Sequence, residues 1–219
     1  MRFSSYTRIK RVLDIIYASA GLMLSTLPLS CIAIAVKATS EGPFLFRQTR
    51  IGQNGAPFVC YKVRTMKNET PQCPSAKLKN CTEYLTPVGS FLRNHSLDEL
   101  TQLFNVLRGD MSVIGPRPLI PEERELHRIR TEKGVYAMRP GISGLSQING
   151  RDDLSDRRKA MLDTIYLENA SLWLDFTILI RTFLCLRHGT NRSPRALRSN
   201  TENSAKKRAK SLFFLDNSQ

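Results

Sequence analysis

The chain has 219 residues, room for one compact domain with appendages. Its 33 Lys and Arg outnumber 19 Asp and Glu, a formal charge of +14, so an anionic partner is expected: nucleic acid, a phospholipid surface or phosphorylated small molecules. Five cysteines without a Cys-x-x-Cys pair, and three histidines without zinc spacing, exclude a disulfide framework and a structural zinc; reduced thiols follow.

Arg8, Lys10 and Arg11 precede an uncharged apolar run over residues 15–36. As a helix it measures about 33 Å, enough to cross hydrocarbon. A signal peptide fits poorly, because the run is too long and Ala33-Ile34-Ala35 lies beside Lys37. Nor does Cys31 make a lipoprotein site, with Pro28 where an aliphatic residue is wanted. Pro28 removes a backbone donor mid-run and can bend the helix, so that it enters and leaves on one face. Basic residues flank both ends (Arg2, Arg8, Lys10 and Arg11 before; Lys37, Arg47 and Arg50 after), and both ends compete for the cytoplasmic side. On these residues alone the straight span and the re-entrant helix stay open, beside a helix buried in a soluble core.

Glu41-Gly42-Pro43 is a turn. Phe44-Leu45-Phe46 and Phe58-Val59-Cys60-Tyr61 read as strands of a hairpin with Gly52-Gln53-Asn54-Gly55 at its tip. Arg47, Arg50, Lys62 and Arg64 around it make either a solvated face or a phosphate-facing surface. Residues 68–85 are polar and read as an irregular loop.

Ser96-Leu97-Asp98-Glu99 has the form of a capping box, in which the Ser96 hydroxyl accepts from the Glu99 amide and the Glu99 carboxylate reaches back to the Ser96 amide. Leu97, Leu100, Leu103, Phe104 and Leu107 then repeat at helical spacing until Gly109 stops the helix. Two prolines stiffen Gly115-Pro116-Arg117-Pro118, reducing the freedom a guanidinium loses on clamping an oxyanion. Residues 122–130 are helical and charged. The glycine-punctuated stretch from Arg139 to Arg151 fits neither a Walker loop nor a dinucleotide fingerprint, and a connecting loop is its plain reading. Residues 154–167 are helical, with Asp163 and Tyr166 one turn apart. Residues 172–186 are too short and too charged to span a bilayer, and suit an interfacial or a core helix. From Gly189 onward the chain is a basic tail read as disordered, able to pair with anionic lipid heads.

With these pieces placed, the chain resembles the bacterial sugar transferases, small monotopic polyprenyl-phosphate phosphoglycosyl transferases. The likeness covers about residues 8–186 and rests on motifs in one order: Lys10-Arg11 with Asp14, Pro28, Gly42-Pro43 with Phe46 and Gln48, Arg50-x-Gly52, and Lys62-x-Arg64-Thr65-Met66. Gly89 with Leu92-Arg93 follows, then Ser96-Leu97-Asp98-Glu99-Leu100, Gln102-Leu103-x-Asn105-Val106-Leu107, Gly115-Pro116-Arg117-Pro118, Arg139-Pro140-Gly141 and Gln147-x-Asn149-Gly150-Arg151. Thr101 stands where the family usually has proline, and Ser143 and Ser146 replace the more usual threonine and alanine. No carboxylate and no loop arginine is lost.

The resemblance implies an α+β fold, predominantly helical with a small β-hairpin, with a re-entrant membrane helix (1–40) and a catalytic domain (41–188); the basic tail (189–219), read as disordered from its composition, has no counterpart in the family. Interfacial amphipathic helices would seat it on the cytoplasmic face of the bacterial inner membrane. It implies transfer of a sugar 1-phosphate from a UDP-sugar to undecaprenyl phosphate, the initiating step of surface glycan synthesis (exopolysaccharide, capsule, O-antigen or glycoprotein). Asp98 would attack the β-phosphorus, releasing UMP and leaving a phosphosugar-aspartyl intermediate for the lipid phosphate to resolve. Glu99, with Asp98, would hold Mg²⁺, and Arg93 would orient the acidic pair. Arg117, Lys62 and Arg64 would hold phosphate, with Gln147, Asn149 and Arg151 as nucleotide or loop candidates. Anionic lipids are expected partners and nucleic acid is not. A non-enzymatic basic membrane scaffold or nucleic-acid binder is the competing reading, though it gives no reason for paired acids between arginines. A multi-span phosphotransferase is opposed by the single long apolar run.

Overall fold

A computed structural model describes residues 2–70 and 81–187. The basic tail from residue 189 and the middle of the polar loop, residues 71–80, lie outside the described residues.

The apolar run belongs to a longer helix, α1 (Arg2–Thr39), with Pro28 inside it. At 1.5 Å per residue its 38 residues extend about 57 Å. Proline removes one backbone donor there, yet the helix is continuous on both sides. One stripe of α1 faces protein throughout: the Arg11 guanidinium donates to the Val106 and Leu107 carbonyls at 2.6 and 2.9 Å, and Asp14 accepts from the Ser112 hydroxyl and the Val113 amide at 3.0 and 2.9 Å. Ala18, Gly21, Ser25, Leu29, Ile32 and Val36 continue that stripe at intervals of three and four residues, the repeat of one helix face. Its other faces leave Met23, Leu24, Leu27 and Ile34 between 71% and 81% exposed.

The hairpin is as expected and longer. β1 (Leu45–Ile51) pairs antiparallel with β2 (Pro57–Val63), Leu45 opposite Val63 and Ile51 opposite Pro57. Its tip turns through Asn54 and Gly55, both at positive φ, where a side chain other than Asn or Asp is strained. Instead of a third strand, the free edge of β2 meets side chains. Asn105, fully buried, donates to the Val59 carbonyl at 2.6 Å and accepts the Tyr61 amide at 3.1 Å. Thr101 donates to the Tyr61 carbonyl at 3.0 Å. Edge groups that would otherwise be orphaned are thereby satisfied.

After α2 (Gly89–Asn94) the single expected helix is two pieces, a six-residue 3₁₀ turn (Leu97–Gln102) and then α3 (Leu103–Arg108), stopped by Gly109 in the left-handed region as read. The capping box is not formed. Ser96 is itself left-handed (φ 55°), makes no side-chain cap, and meets Glu99 only through its own carbonyl, which accepts the Glu99 amide at 3.2 Å.

The two glycine loops are not plain connections. β3 (Ser112–Ile114) and β4 (Gly141–Ser143) pair in parallel, and the Gly115 amide donates to the Ser143 carbonyl at 2.8 Å. A Cβ on Gly141 would stand 2.1 Å from the Gly115 nitrogen, so only glycine lets these backbones approach. Four helices complete the domain: α4 (Arg124–Glu132), the single turn α5 (Leu145–Ile148), α6 (Asp156–Glu168) and α7 (Leu172–Arg187). Among the described residues the core is four small clusters, and α1 contributes to two of them, Ala18 beside Cys60, Val106 and Met111, and Val36 beside Val63 and Leu92. α7 has two unlike faces: Ile178 is fully buried, while Trp173, Phe176 and Phe183 are 50–74% exposed. Its Asp175 accepts from the Tyr6 hydroxyl and Lys10 ammonium, each at 2.9 Å, and from the Tyr166 hydroxyl, stapling the start of α1 to α6 and α7.

Candidate active site

Asp98 and Glu99 lie on the floor of a cavity of about 1000 Å³, 5% and 6% exposed. Glu99 is the hub. Its Oε1 accepts from the Lys62 ammonium and Arg151 guanidinium at 3.0 Å each and from Arg117 at 3.4 Å, and its Oε2 accepts from Arg151 at 3.1 Å. Burial alone would raise the Glu99 carboxyl. Lys62, Arg151 and Arg117 outweigh it and hold the group well below the usual carboxylate range. Burial lowers the Lys62 ammonium in turn, and Glu99 opposes that.

Each cation arrives from a different element, and each is aimed by its surroundings. Lys62 comes from β2, whose edge Thr101 and Asn105 fix against the acidic turn. Arg117 comes from the proline loop, which two further arginines grip: Arg50 donates to the Pro118 carbonyl at 2.9 Å, and Arg130 to the Arg117 carbonyl at 2.7 Å. Arg130 is itself buried against Asp163, its Nε and one terminal nitrogen donating to Oδ2 at 3.0 and 2.6 Å, while Asp163 Oδ1 accepts from Ser146 at 3.0 Å. Arg151, at φ 53°, reaches Glu99 from beyond α5.

Of the residues singled out in the sequence, Asp98, Glu99, Lys62, Arg93, Arg117, Gln147 and Arg151 all line the cavity. Arg93 bonds to Thr65 Oγ1 and Met66 Sδ at 3.0 and 3.2 Å. Arg64 also borders the cavity, but its guanidinium donates to the Ser40 and Glu41 carbonyls and the Ser40 hydroxyl, fastening the end of α1. Those contacts make it a clamp on the end of α1. Asn149 is not in the lining: its amide donates to the Leu145 carbonyl at 2.7 Å and closes α5. Sequence reasoning passed over Arg130 and gave Asp163 no role. The signal was present, since an acid one turn before a core tyrosine needs a buried cation.

Among the described residues no group of three or more His, Cys, Asp or Glu could hold a metal. Magnesium characteristically binds through one or two carboxylates together with substrate phosphates, and the Asp98–Glu99 pair is a donor set of that kind. Both Glu99 oxygens already accept from cations, Oε1 from Lys62, Arg117 and Arg151 and Oε2 from Arg151, so a metal held by the pair would share Glu99 with them.

Paired carboxylates lie under converging lysine and arginine side chains, an arrangement suited to phosphoryl groups, and the sequence profile of the bacterial sugar transferases matches residues 5–189. The chain belongs to that family. It is 41% identical over 180 residues to a UDP-glucose:undecaprenyl-phosphate glucose-1-phosphate transferase of Caulobacter vibrioides, covering 79% of this chain and 67% of the relative. Similarity to exopolysaccharide production protein ExoY of Rhizobium meliloti is 38% identity over 201 residues, 83% of this chain and 87% of that protein. An undecaprenyl-phosphate galactose phosphotransferase of Salmonella typhimurium is 38% identical over 192 residues, which span 80% of this chain and 39% of that longer protein.

Proposed function

We propose that this enzyme, a polyprenyl-phosphate sugar-1-phosphate transferase by family, moves a sugar 1-phosphate from a UDP-sugar to undecaprenyl phosphate with Asp98 as nucleophile. The observation that carries the assignment is the division of labour between the two acids. Glu99 gathers Lys62, Arg117 and Arg151, and the Asp98 carboxylate, next in the chain and lining the same cavity, stands in the field of those cations, where a phosphate would be drawn. An Asp98 oxygen attacks the β-phosphorus, the bond from that phosphorus to the bridging oxygen breaks, and UMP departs with the electron pair. An oxygen of the lipid phosphate then attacks the same phosphorus, and the acyl-phosphate bond breaks to return the carboxylate.

Two anions approach one another in both steps, and Lys62, Arg117 and Arg151 supply fixed positive charge against that repulsion. When bound, Mg²⁺ would be held by Asp98 and Glu99 and would add screening of the same kind. Family membership sets aside the scaffold reading.

α1 supports a placement on one face of the membrane. Its apolar outer face calls for hydrocarbon, yet from Arg11 to Ser40 it is bonded to one protein body. Crossing a bilayer would carry its ends to opposite faces, about 30 Å apart. A helix that enters and leaves on the cytoplasmic side of the inner membrane reconciles both facts.

The test uses the full chain in vesicles with radiolabelled UDP-sugars. UMP release and a labelled lipid product are expected, along with a sugar-phosphate adduct on Asp98 in rapidly denatured protein. Asp98→Asn should abolish all three. Product formation by Asp98→Asn would defeat the assignment.

A further inference from the structure

Hydrogen bonds sort residues lining the cavity into two groups. At one end Asp163 joins Arg130 to Ser146, and Ser146 donates to Gln147. At a second end Arg64 joins Ser40 and Glu41 to Asn68, and Lys37, Pro43, Phe44, Met66 and Lys67, neighbours of these in the chain, line the cavity too, two ammonium groups among apolar side chains. That second end adjoins α1. Lys37 lies three residues beyond Ile34, hence on the same side of the helix, and Ile34 is 71% exposed. A lysine one turn past an apolar surface places its stem along hydrocarbon and its charge at headgroup depth.

The rim is held together. Arg64 ties Ser40 and Glu41, just after Lys37, to Asn68, next to Lys67, so both lysines are fixed to one edge. Both are exposed, and among the described residues neither is spent on a carboxylate, whereas Lys62 deeper in is bonded to Glu99 at 3.0 Å.

We infer that this end is the acceptor's entrance, and that Lys37 and Lys67 capture the phosphate of a polyprenyl phosphate whose chain stays in the bilayer. A water-borne nucleotide sugar has no need of an apolar rim. A lipid phosphate can reach Asp98 only from the side where the cavity meets the membrane helix. The inference rests on the function proposed above.

The experiment compares the full-length protein with its Lys37→Ala/Lys67→Ala variant in vesicles. Removing two charge-assisted contacts should raise the KM for undecaprenyl phosphate about tenfold and leave the KM for UDP-sugar within about twofold. UMP release on first contact with UDP-sugar should be unchanged. A second arm needs no turnover: immobilised variant in detergent micelles should retain about tenfold less radiolabelled undecaprenyl phosphate than wild type. An unchanged lipid KM, or an equal rise in both KM values, overturns the inference. So does a KM rise that disappears in vesicles of neutral phosphatidylcholine, because the lysines would then serve only attraction to anionic headgroups. A wild-type protein that binds the lipid through these lysines but releases no UMP would instead count against the covalent mechanism alone.

Discussion

Glu99 acts as an electrostatic keystone, and its replacement separates its roles. Glu99→Gln keeps the shape but leaves Lys62, Arg117 and Arg151 facing one another without a counter-charge. Removing one partner of a buried charge cluster typically costs about 3–5 kcal/mol, and because these cations are partly exposed about 2 kcal/mol is expected here. Transfer activity should fall to background. The folded carboxyl is depressed by its cations, so its stabilisation is complete above the unfolded value near 4.5 and is lost as pH falls through the lower folded value. The melting-temperature gap between wild type and variant should therefore be constant from pH 7 to about pH 5 and close below that. A gap that persists unchanged far into acid would show that Glu99 stabilises by packing rather than charge. A second residue-scale case is Arg130 with Asp163, 3% and 1% exposed. Asp163→Asn strands a buried guanidinium and should cost about 3–5 kcal/mol in a denaturant titration. Replacing both, as Arg130→Met/Asp163→Leu, should restore much of that stability but not kcat, because nothing then grips the Arg117 carbonyl. Recovery of kcat with stability would reduce the pair to a packing element. The sequence marked Asp98 and Glu99 as a site by their neighbours, but it could not tell a cap from a charge hub. That depended on Lys62 and Arg151, 37 and 52 residues away.

At the scale of elements, legibility followed the range of the forces involved. The hairpin and the charged helices were readable because alternation, turn residues and local periodicity set them. The break between the 3₁₀ turn and α3 was not, because Thr101 and Asn105 turn their side chains to the edge of β2, a partner some 40 residues earlier. Nor was the parallel pairing of β3 with β4, since a glycine needed for close approach is indistinguishable in sequence from one needed for a turn. For α1 the length was legible and the packed stripe was hidden, because small residues such as Ala18, Gly21 and Ser25 carry no apolar periodicity. That stripe yields a topological prediction. Single cysteines replacing Ser5 and Thr39, both exposed near the ends of α1, should react with an impermeant maleimide from the same side in oriented membrane vesicles. Reaction from opposite sides would mean that α1 crosses the bilayer and would undo the monotopic placement.

The whole molecule divides two kinds of attraction between two surfaces. Its exposed apolar surface is spread over the outer faces of α1 and α7, where Met23, Leu24, Leu27, Trp173 and Phe183 are exposed, and on the proposed placement that surface meets the membrane. Its attraction for phosphorylated substrates is concentrated around one cavity, in a chain of formal charge +14. Salt acts on these differently. In about 1 M salt the Debye length falls to about 3 Å, so long-range steering of an anionic nucleotide sugar is lost, while burial of apolar side chains is not weakened. Washing membranes with 1 M NaCl should leave the protein in the pellet. Assays across the same salt range should lower kcat/KM for UDP-sugar by about tenfold or more, with kcat changing much less, because the contacts around Glu99 are buried and short enough to escape screening. If salt instead strips the protein from the membrane while kcat/KM holds, the charge serves anchorage and the cavity draws its substrate by contact alone.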